Sequence, residues 1–454
     1  MLPTLEATGI AKVQARLRGD VIRPGDARYE RARRVWNGRI DRYPALIVYC
    51  ADPDDVRTTI DFAHNVSLPI TVRSGGHSMA GLSVNNGGVV IDLSRMKGIE
   101  IDPGRNIARV QAGLTLGEFV QETQVYGLAT TTGTVSGTGM GGLTLGGGIG
   151  WLMGKYGLTV DSLRSVDLVT ADGQLLTANA TEHPDLFWGL RGGGGNFGIA
   201  TSFEFRLHPV ATVLAGKISY PLSRARAVLR FYREFTRAAP DELTAYAALA
   251  TTSHGIPAIS ISLCYAGPLA EGERLLAPLR RFGSPLIDLI RPRSYLQAIS
   301  SDIGAPEGRH YYEQASSLPD LSDDVIDLMA DYSAARTSPA SQVLIQHVHG
   351  AACRGSPGTT AFALREVPYI MNIVAEWHAN EAQQAEAHTA WARAFQAAVR
   401  PFALQGVYTN FLGDEGEERV RASYGVNYER LVTLKNRYDP TNVFRFNQNI
   451  KPTI

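Results

Sequence analysis

Between an apolar stretch at residues 68–72 and Gly81 the chain reads Arg73-Ser74-Gly75-Gly76-His77-Ser78-Met79-Ala80. No other segment limits the fold as much. A strand that runs into paired glycines turns main-chain amides inward and lets backbone approach an anion or a flat ring closely. Arg73 can add charge beside a phosphate. His77 stands at the mouth of the turn, where an imidazole serves as base, ligand or point of covalent attachment. Taken alone, the segment also reads as a glycine-rich turn with an incidental histidine, so the remainder of the chain has to decide.

Glycine crowds two further places, residues 133–150 and the four consecutive glycines 192–195. Gly137-x-Gly139-x-x-Gly142 and Gly193-x-Gly195-x-x-Gly198 match the dinucleotide fingerprint literally, and Asp161 follows the first by about twenty residues, where a ribose-binding acid belongs. The structural context for a Rossmann unit is missing. That unit needs a hydrophobic strand before the glycines and a helix beginning among them, whereas residues 128–132 make a weak strand. Gly146, Gly147, Gly148 and Gly150 each cost a helix about 1 kcal/mol relative to Ala, so no helix is expected over 137–150. The expectation is an extended loop against something flat or anionic, with Leu143, Leu145, Ile149, Trp151 and Leu152 buried between the glycines.

A chain of 454 residues suggests two or three domains, and 44% hydrophobic against 19% charged residues allows a large packed core. Lys plus Arg equals Asp plus Glu at 44 each, which argues against a nucleic-acid or anionic-membrane surface. No apolar run is long enough to span a bilayer, and residues 1–6 lack a signal-peptide pattern. Cys50, Cys264 and Cys353 are few and scattered, as reduced thiols in a cytoplasmic protein would be, with no metal site.

A polar helix is expected near 26–37, then a β-α-β start: strand 45–50, a helix opened by Asp52-Pro53-Asp54-Asp55 with Asp52 as N-cap, and strand 68–72. Short strands follow at 88–93, 99–101 and 107–110, then a helix at 116–127, a hairpin over 166–177 around Asp172-Gly173, and a strand at 201–207. Beyond residue 212 the elements lengthen, with helices at 224–238, 321–334 and 380–399 and strands at 259–265, 343–349 and 369–377. The chain thus divides into 1–210, 211–405 and 406–454.

Together these stretches resemble the flavoprotein family of vanillyl-alcohol oxidase and para-cresol methylhydroxylase, in its berberine-bridge-enzyme-like branch. The motifs that carry the resemblance are Arg73-Ser74-Gly75-Gly76-His77, the run Gly139-Met140-Gly141-Gly142-Leu143-Thr144-Leu145-Gly146-Gly147-Gly148-Ile149-Gly150, Lys155-Tyr156-Gly157-Leu158, Asp185-Leu186-Phe187-Trp188, Arg191-Gly192-Gly193-Gly194-Gly195-Asn196-Phe197-Gly198, Tyr408-Thr409-Asn410 and Tyr438-Asp439-Pro440-Thr441-Asn442-Val443-Phe444. The resemblance implies an α+β protein: a two-lobed FAD-binding domain (1–210), an α/β substrate domain with an antiparallel sheet (211–405) and a C-terminal segment returning to the first domain (406–454). It implies FAD bonded covalently through His77. It places cofactor contacts at Arg73, Ser74, Gly75, Gly76, Ser78, Val135, Ser136, Thr138, Gly139, Gly142, Ile199, Tyr408, Asn410, Asn447 and Asn449.

Where many members carry a Cys that makes a second flavin bond, this sequence has Val135, which implies one covalent link and weakens an oligosaccharide reading. Thr138 falls where the family's oxygen-gating residue stands. Its size is closer to the permissive Val than to the blocking Leu, which implies an oxidase that passes electrons from a small or medium organic alcohol, amine or secondary metabolite to O2. A dehydrogenase, an oxygenase and a flavin-carrying protein without turnover are the alternatives. On the substrate side, His347 and His349 share a strand face by period-two geometry and are candidates for a base and its partner; Tyr369 and Tyr246 are further candidates. The resemblance brings Tyr408 beside the flavin, either in catalysis or as a structural hydrogen bond. Residues 351–354 hold no acid where alkaloid-oxidising members carry one.

Overall fold

The computed structural model describes residues 7–300, 306–356 and 358–453; the start of the chain, read above for targeting signals, lies outside them. Helix Pro53–Asn65 begins as its sequence dictates: the Asp52 side chain accepts from the Asp55 amide at 3.0 Å, and Pro53 takes the first helical position. Val56, Ile60 and Ala63 are fully buried on its inner face. They cover a four-stranded sheet ordered Val21–Ile22, Leu46–Tyr49, Val89–Asp92, Ile70–Arg73, in which the last three strands run parallel. A second, antiparallel sheet is ordered Ile99–Asp102, Ile107–Gln111, Ile199–Arg206, Leu163–Val169, Leu175–Asn179, and the expected hairpin is its outer pair.

The third sheet is antiparallel and eight-stranded. Its main path runs Ile287–Asp288, Thr212–Pro221, Pro257–Tyr265, Leu243–Thr251, Gln342–His347, Tyr369–Trp377, His310–Leu318. One face packs on helices Ala225–Arg237, Leu269–Arg281, Asp323–Ala334 and Ala385–Val399. Val228, Leu229 and Tyr232 are fully buried there, each worth about 1.5–3 kcal/mol of transfer free energy. The other face turns to residues of the first two sheets, because Tyr246, Cys264 and Ile370 share one core with them.

The C-terminal segment returns to that same core through Tyr424, Leu431, Leu434, Phe444 and Ile450. A fully buried lysine locks it there. Lys435 Nζ donates to Asp439 Oδ2 at 2.6 Å and to the carbonyls of Asn196 and Phe444, each at 3.0 Å.

Three sequence expectations need correction. A helix does form among the glycines, Met140–Leu145. A Cβ on Gly141 would lie 3.3 Å from both the Ala112 oxygen and the Ser74 side chain, so close packing overrides the propensity cost. The helix near 26–37 shrinks to Tyr29–Ala32. Strands Thr212–Pro221, Leu243–Thr251 and His310–Leu318 exist where none was expected: Gly216, Lys217 and Ser219 interrupt the first, alanines dilute the strand signal of the second, and polar residues fall on both faces of the third.

Candidate active site

The glycine loops meet at a single corner. A Cβ on Gly75 would fall 2.3 Å from the Gly139 nitrogen, and one on Gly139 would fall 2.2 Å from the Gly75 nitrogen. No side chain fits between two main chains so close. Ser74 Oγ donates to the Ala112 carbonyl at 2.6 Å, and Gly76 turns the chain with φ of 70°. Ser78 Oγ accepts from the Leu82 amide. On the facing loop, the Thr138 amide donates to the Val135 carbonyl, and the Thr138 and Ser136 carbonyls accept from Leu116 and Gly117. Val135, Ser136 and Thr138 are half-buried, and Gly137 is exposed.

His77 projects between these loops. Its Nδ1 lies 3.4 Å from Thr138 Oγ1, and a Cβ on Gly137 would come within 3.3 Å of its Nε2. Its ring stacks on Trp36 at 5.0 Å, and Trp36 stacks on Tyr311 at 4.1 Å. Burial pushes the imidazole pKa down to about 4, so the ring is neutral at pH 7 with a lone pair on one nitrogen.

The C-terminal residues close the corner from the other side. Tyr408 Oη accepts from the Gly148 amide at 2.9 Å and from Asn410 Nδ2 at 2.7 Å, and Asn410 Nδ2 also donates to the Leu143 carbonyl. Burial pushes the Tyr408 phenol up to about 12, so it stays protonated. Gly147, with φ of 129°, leaves room for Phe362 and Tyr408. Asn447 Nδ2 donates to the carbonyls of Gly195 and Phe444, while Oδ1 of Asn447 and of Asn449 are buried without a partner. Gly142 and Gly195 have open space where a side chain would be. Ile199 opens strand Ile199–Arg206 with its side chain in the core.

Not every expected residue arrives at this corner. Arg73 is the first correction. Its Nε donates to Asp92 Oδ2 at 2.6 Å, and its remaining nitrogens bond the carbonyls of Arg34 and Ala32. The guanidinium is spent on an internal ion pair and holds the strand end in place. The second correction concerns His347, His349 and Tyr369. His347 and His349 do lie together, with rings stacked at 4.8 Å, but His347 stands on the helix side of the sheet. His347 pairs across from Tyr369, whose ring belongs to the helix-covered core and whose hydroxyl lies 3.4 Å from Thr236 Oγ1. The reason is strand parity: Val343, Ile345 and His347 face the helices, so Leu344 and Gln346 face the other way. His349 lies past the strand end, against Gly154. Burial pushes His347 down to about 3, as befits a neutral core residue.

The face toward the corner carries residues that sequence reasoning did not single out, together with Tyr246, which it did. Tyr246 stacks on Trp151 at 4.5 Å, and its buried hydroxyl has no partner. Asn372 and Glu376 interrupt an otherwise apolar strand, Tyr369–Trp377, in which every residue is buried. Glu313 and Gln346 join Asn372 on that face. Polar residues inside a fully buried strand were the one sequence signal available for them.

A long main-chain-lined corner with glycines in van der Waals contact, orphaned buried amide oxygens and a neutral histidine fits a large flat cofactor with hydrogen-bonding edges. The comparisons agree. A family model described as an FAD binding domain matches residues 44–179, and one described as berberine and berberine like matches 407–451. The FAD-linked oxidoreductase YgaK of Bacillus subtilis is 32% identical over 449 residues, 97% of this chain and 98% of its own length. The (R)-6-hydroxynicotine oxidase of Paenarthrobacter nicotinovorans is 30% identical, over 96% of this chain and 97% of its own. Among solved structures, 6-hydroxy-D-nicotine oxidase from Arthrobacter nicotinovorans superposes with a TM-score of 0.88 at 29% identity, covering 96% of this chain and 98% of its own. Glucooligosaccharide oxidase from Acremonium strictum shares the fold, with a TM-score of 0.87 at 23% identity, covering 98% of each chain. The class is therefore that of FAD-dependent oxidoreductases. The chain belongs to the berberine-bridge-like family of FAD-linked oxidoreductases, and FAD is its cofactor.

Proposed function

We propose that the protein is an oxidase with singly linked FAD. It takes hydride from a C–H bond of a small or medium organic alcohol, amine or secondary metabolite, and O2 is its electron acceptor. The observation that carries this reading is the His77 corner, where a neutral imidazole, two touching main chains and Thr138 converge beneath the polar face of a sheet. Bound FAD supplies a two-electron acceptor for hydride and returns the electrons to O2 as hydrogen peroxide.

The chain's own residues do the positioning. The main chain of Ser74, Gly75, Gly76, Ser78 and Gly139 would pack against the cofactor, and Asn447 and Asn449 would offer it their free amide oxygens. The His77 lone pair is available for one bond to the flavin's 8α carbon. Val135 has no atom that makes a second. Tyr408 is held as a hydrogen-bonded phenol by Gly148 and Asn410 and would line the bound ring. Thr138 stands beside His77, and its small side chain would obstruct O2 less than a Leu there.

Acid precipitation of purified protein tests the link: yellow colour stays with the polypeptide, and a peptide carrying FAD at His77 is found by mass. Flavin released intact into the supernatant rules the bond out. Mixing anaerobically reduced enzyme with air tests the acceptor, because slow reoxidation would make the protein a dehydrogenase.

A further inference from the structure

The polar face of the eight-stranded sheet holds a buried carboxyl group with one oxygen unpartnered among the described residues. On strand His310–Leu318, residues Tyr311, Glu313, Ala315 and Ser317 share one face. Tyr311 reaches the Trp36–His77 stack. Ala315 packs with Val407, Leu412 and Phe411, and Phe411 meets Tyr408 edge-on at 4.9 Å. Glu313 lies between these two contacts, above the corner, and is 6% exposed. Asn372 of the neighbouring strand donates Nδ2 to Glu313 Oε1 at 2.5 Å. That bond uses the Asn372 amide nitrogen and leaves Glu313 Oε2 and Asn372 Oδ1 without partners; Gln346 Oε1 is buried and unpartnered too.

Asn372 Oδ1 and Gln346 Oε1 are buried acceptors with no donor, and Glu313 Oε2 becomes a third when its carboxyl is ionised; such groups are costly to leave uncompleted. The charged groups nearby do not complete them. Arg309 is engaged with Glu376 at 3.1 Å, and Arg419 with Glu415 at 3.3 Å. The remaining titratable neighbours, Tyr311 and Tyr408, already donate or accept elsewhere. The face therefore awaits a molecule that brings donors.

Building on the reading above, we propose that Glu313 takes up the proton of a substrate O–H or N–H while hydride leaves the adjacent carbon. The C–H and X–H bonds break and a C=X bond forms, X being oxygen or nitrogen. The hydride reduces FAD, and the proton goes to Glu313 Oε2. Asn372 is a positioning residue that aims the carboxylate, and Gln346 Oε1 accepts a second substrate donor. Burial pushes the Glu313 carboxyl up to about 8, so the ionised form that accepts the proton fills as pH rises through that value, and it is a far stronger base than an exposed carboxylate.

The test uses the holoenzyme. Its visible flavin spectrum is followed from neutral to alkaline pH, a window in which His77 and Tyr408 do not titrate. A spectral shift centred near the Glu313 pKa of about 8 is expected in the wild type. It should vanish in Glu313→Gln, persist in Glu376→Gln, and move to higher pH in Asn372→Leu, which removes a bond favouring the ionised carboxylate. Anaerobic bleaching is then measured with benzyl alcohol, benzylamine, xylobiose and 6-hydroxynicotine. With whichever probe bleaches the wild type, Glu313→Gln should be slower by about 100-fold or more, with flavin content unchanged and partial rescue in Glu313→Asp. The probe that bleaches decides between O–H and N–H. A spectrum indifferent to Glu313→Gln, or a Gln variant reduced at the wild-type rate, overturns the assignment. A colourless wild type overturns the flavin reading and this proposal with it.

Discussion

Gly75 and Gly139 show what one atom decides at the residue scale. Either Cβ would overlap the opposite backbone nitrogen, and backbone cannot swing aside as a flexible side chain can. Gly139→Ala should lower stability by about 1–3 kcal/mol, the usual cost of overpacking, and lower FAD content with it. Thermal unfolding and the flavin-to-protein absorbance ratio check both. Thr138 faces His77 across 3.4 Å. Thr138→Leu should slow reoxidation by air by about tenfold, roughly 1.4 kcal/mol, and leave anaerobic reduction unchanged; stopped-flow traces of the two half-reactions read it. At this scale His77, Thr138, Tyr408 and Asn410 were legible, because the motifs that contain them are long and ordered. Arg73 was misjudged: its charge was visible in the sequence, but the Asp92 partner nineteen residues on was not.

Among elements, the helix Tyr428–Tyr438 stands or falls with one buried ion pair. Removing one partner of such a pair leaves an uncompensated charge in the interior. Lys435→Met strands Asp439, whose carboxylate also caps the amides of Val443 and Phe444. It should cost about 3–5 kcal/mol, seen as a lower denaturant midpoint. The C-terminal segment that brings Asn447 to the site would loosen with it, so flavin content should fall as well. Elements with clean periodicity or caps, such as Pro53–Asn65 and the Leu163–Val169 hairpin, were readable in advance. Strand His310–Leu318 was not, since polar residues on both of its faces leave no alternation to detect.

For the whole molecule, pH acts through groups of opposite sign. His77, His208 and His347 are pushed by burial to about 4, about 4 and about 3, so between those values and the ordinary histidine pKa of 6.5 the unfolded chain binds more protons than the folded one. Stability from this source is full above pH 6.5 and is lost as pH falls. Glu376 and Glu313 are pushed up to about 7 and about 8 from 4.5, so there the folded chain binds more protons. Stability from them is full below pH 4.5 and is lost as pH rises. Between about 4.5 and 6.5 the three histidines outweigh the two glutamates, and above 6.5 only the glutamates act, so stability should peak near pH 6.5. Chemical denaturation of the flavin-free protein across the range tests this, and a maximum above pH 8 would contradict it.

The amino-acid order alone determined the glycine-lined corner, the histidine within it and the flavoprotein family, because each depends on residues close together in the chain whose spacing survives in one dimension. The substrate side was decided only by tertiary structure. Whether His347 or Glu313 faces the corner depends on which face of a many-stranded sheet the helices cover. Burial on that scale is a property of the packed layers, and no single strand encodes it.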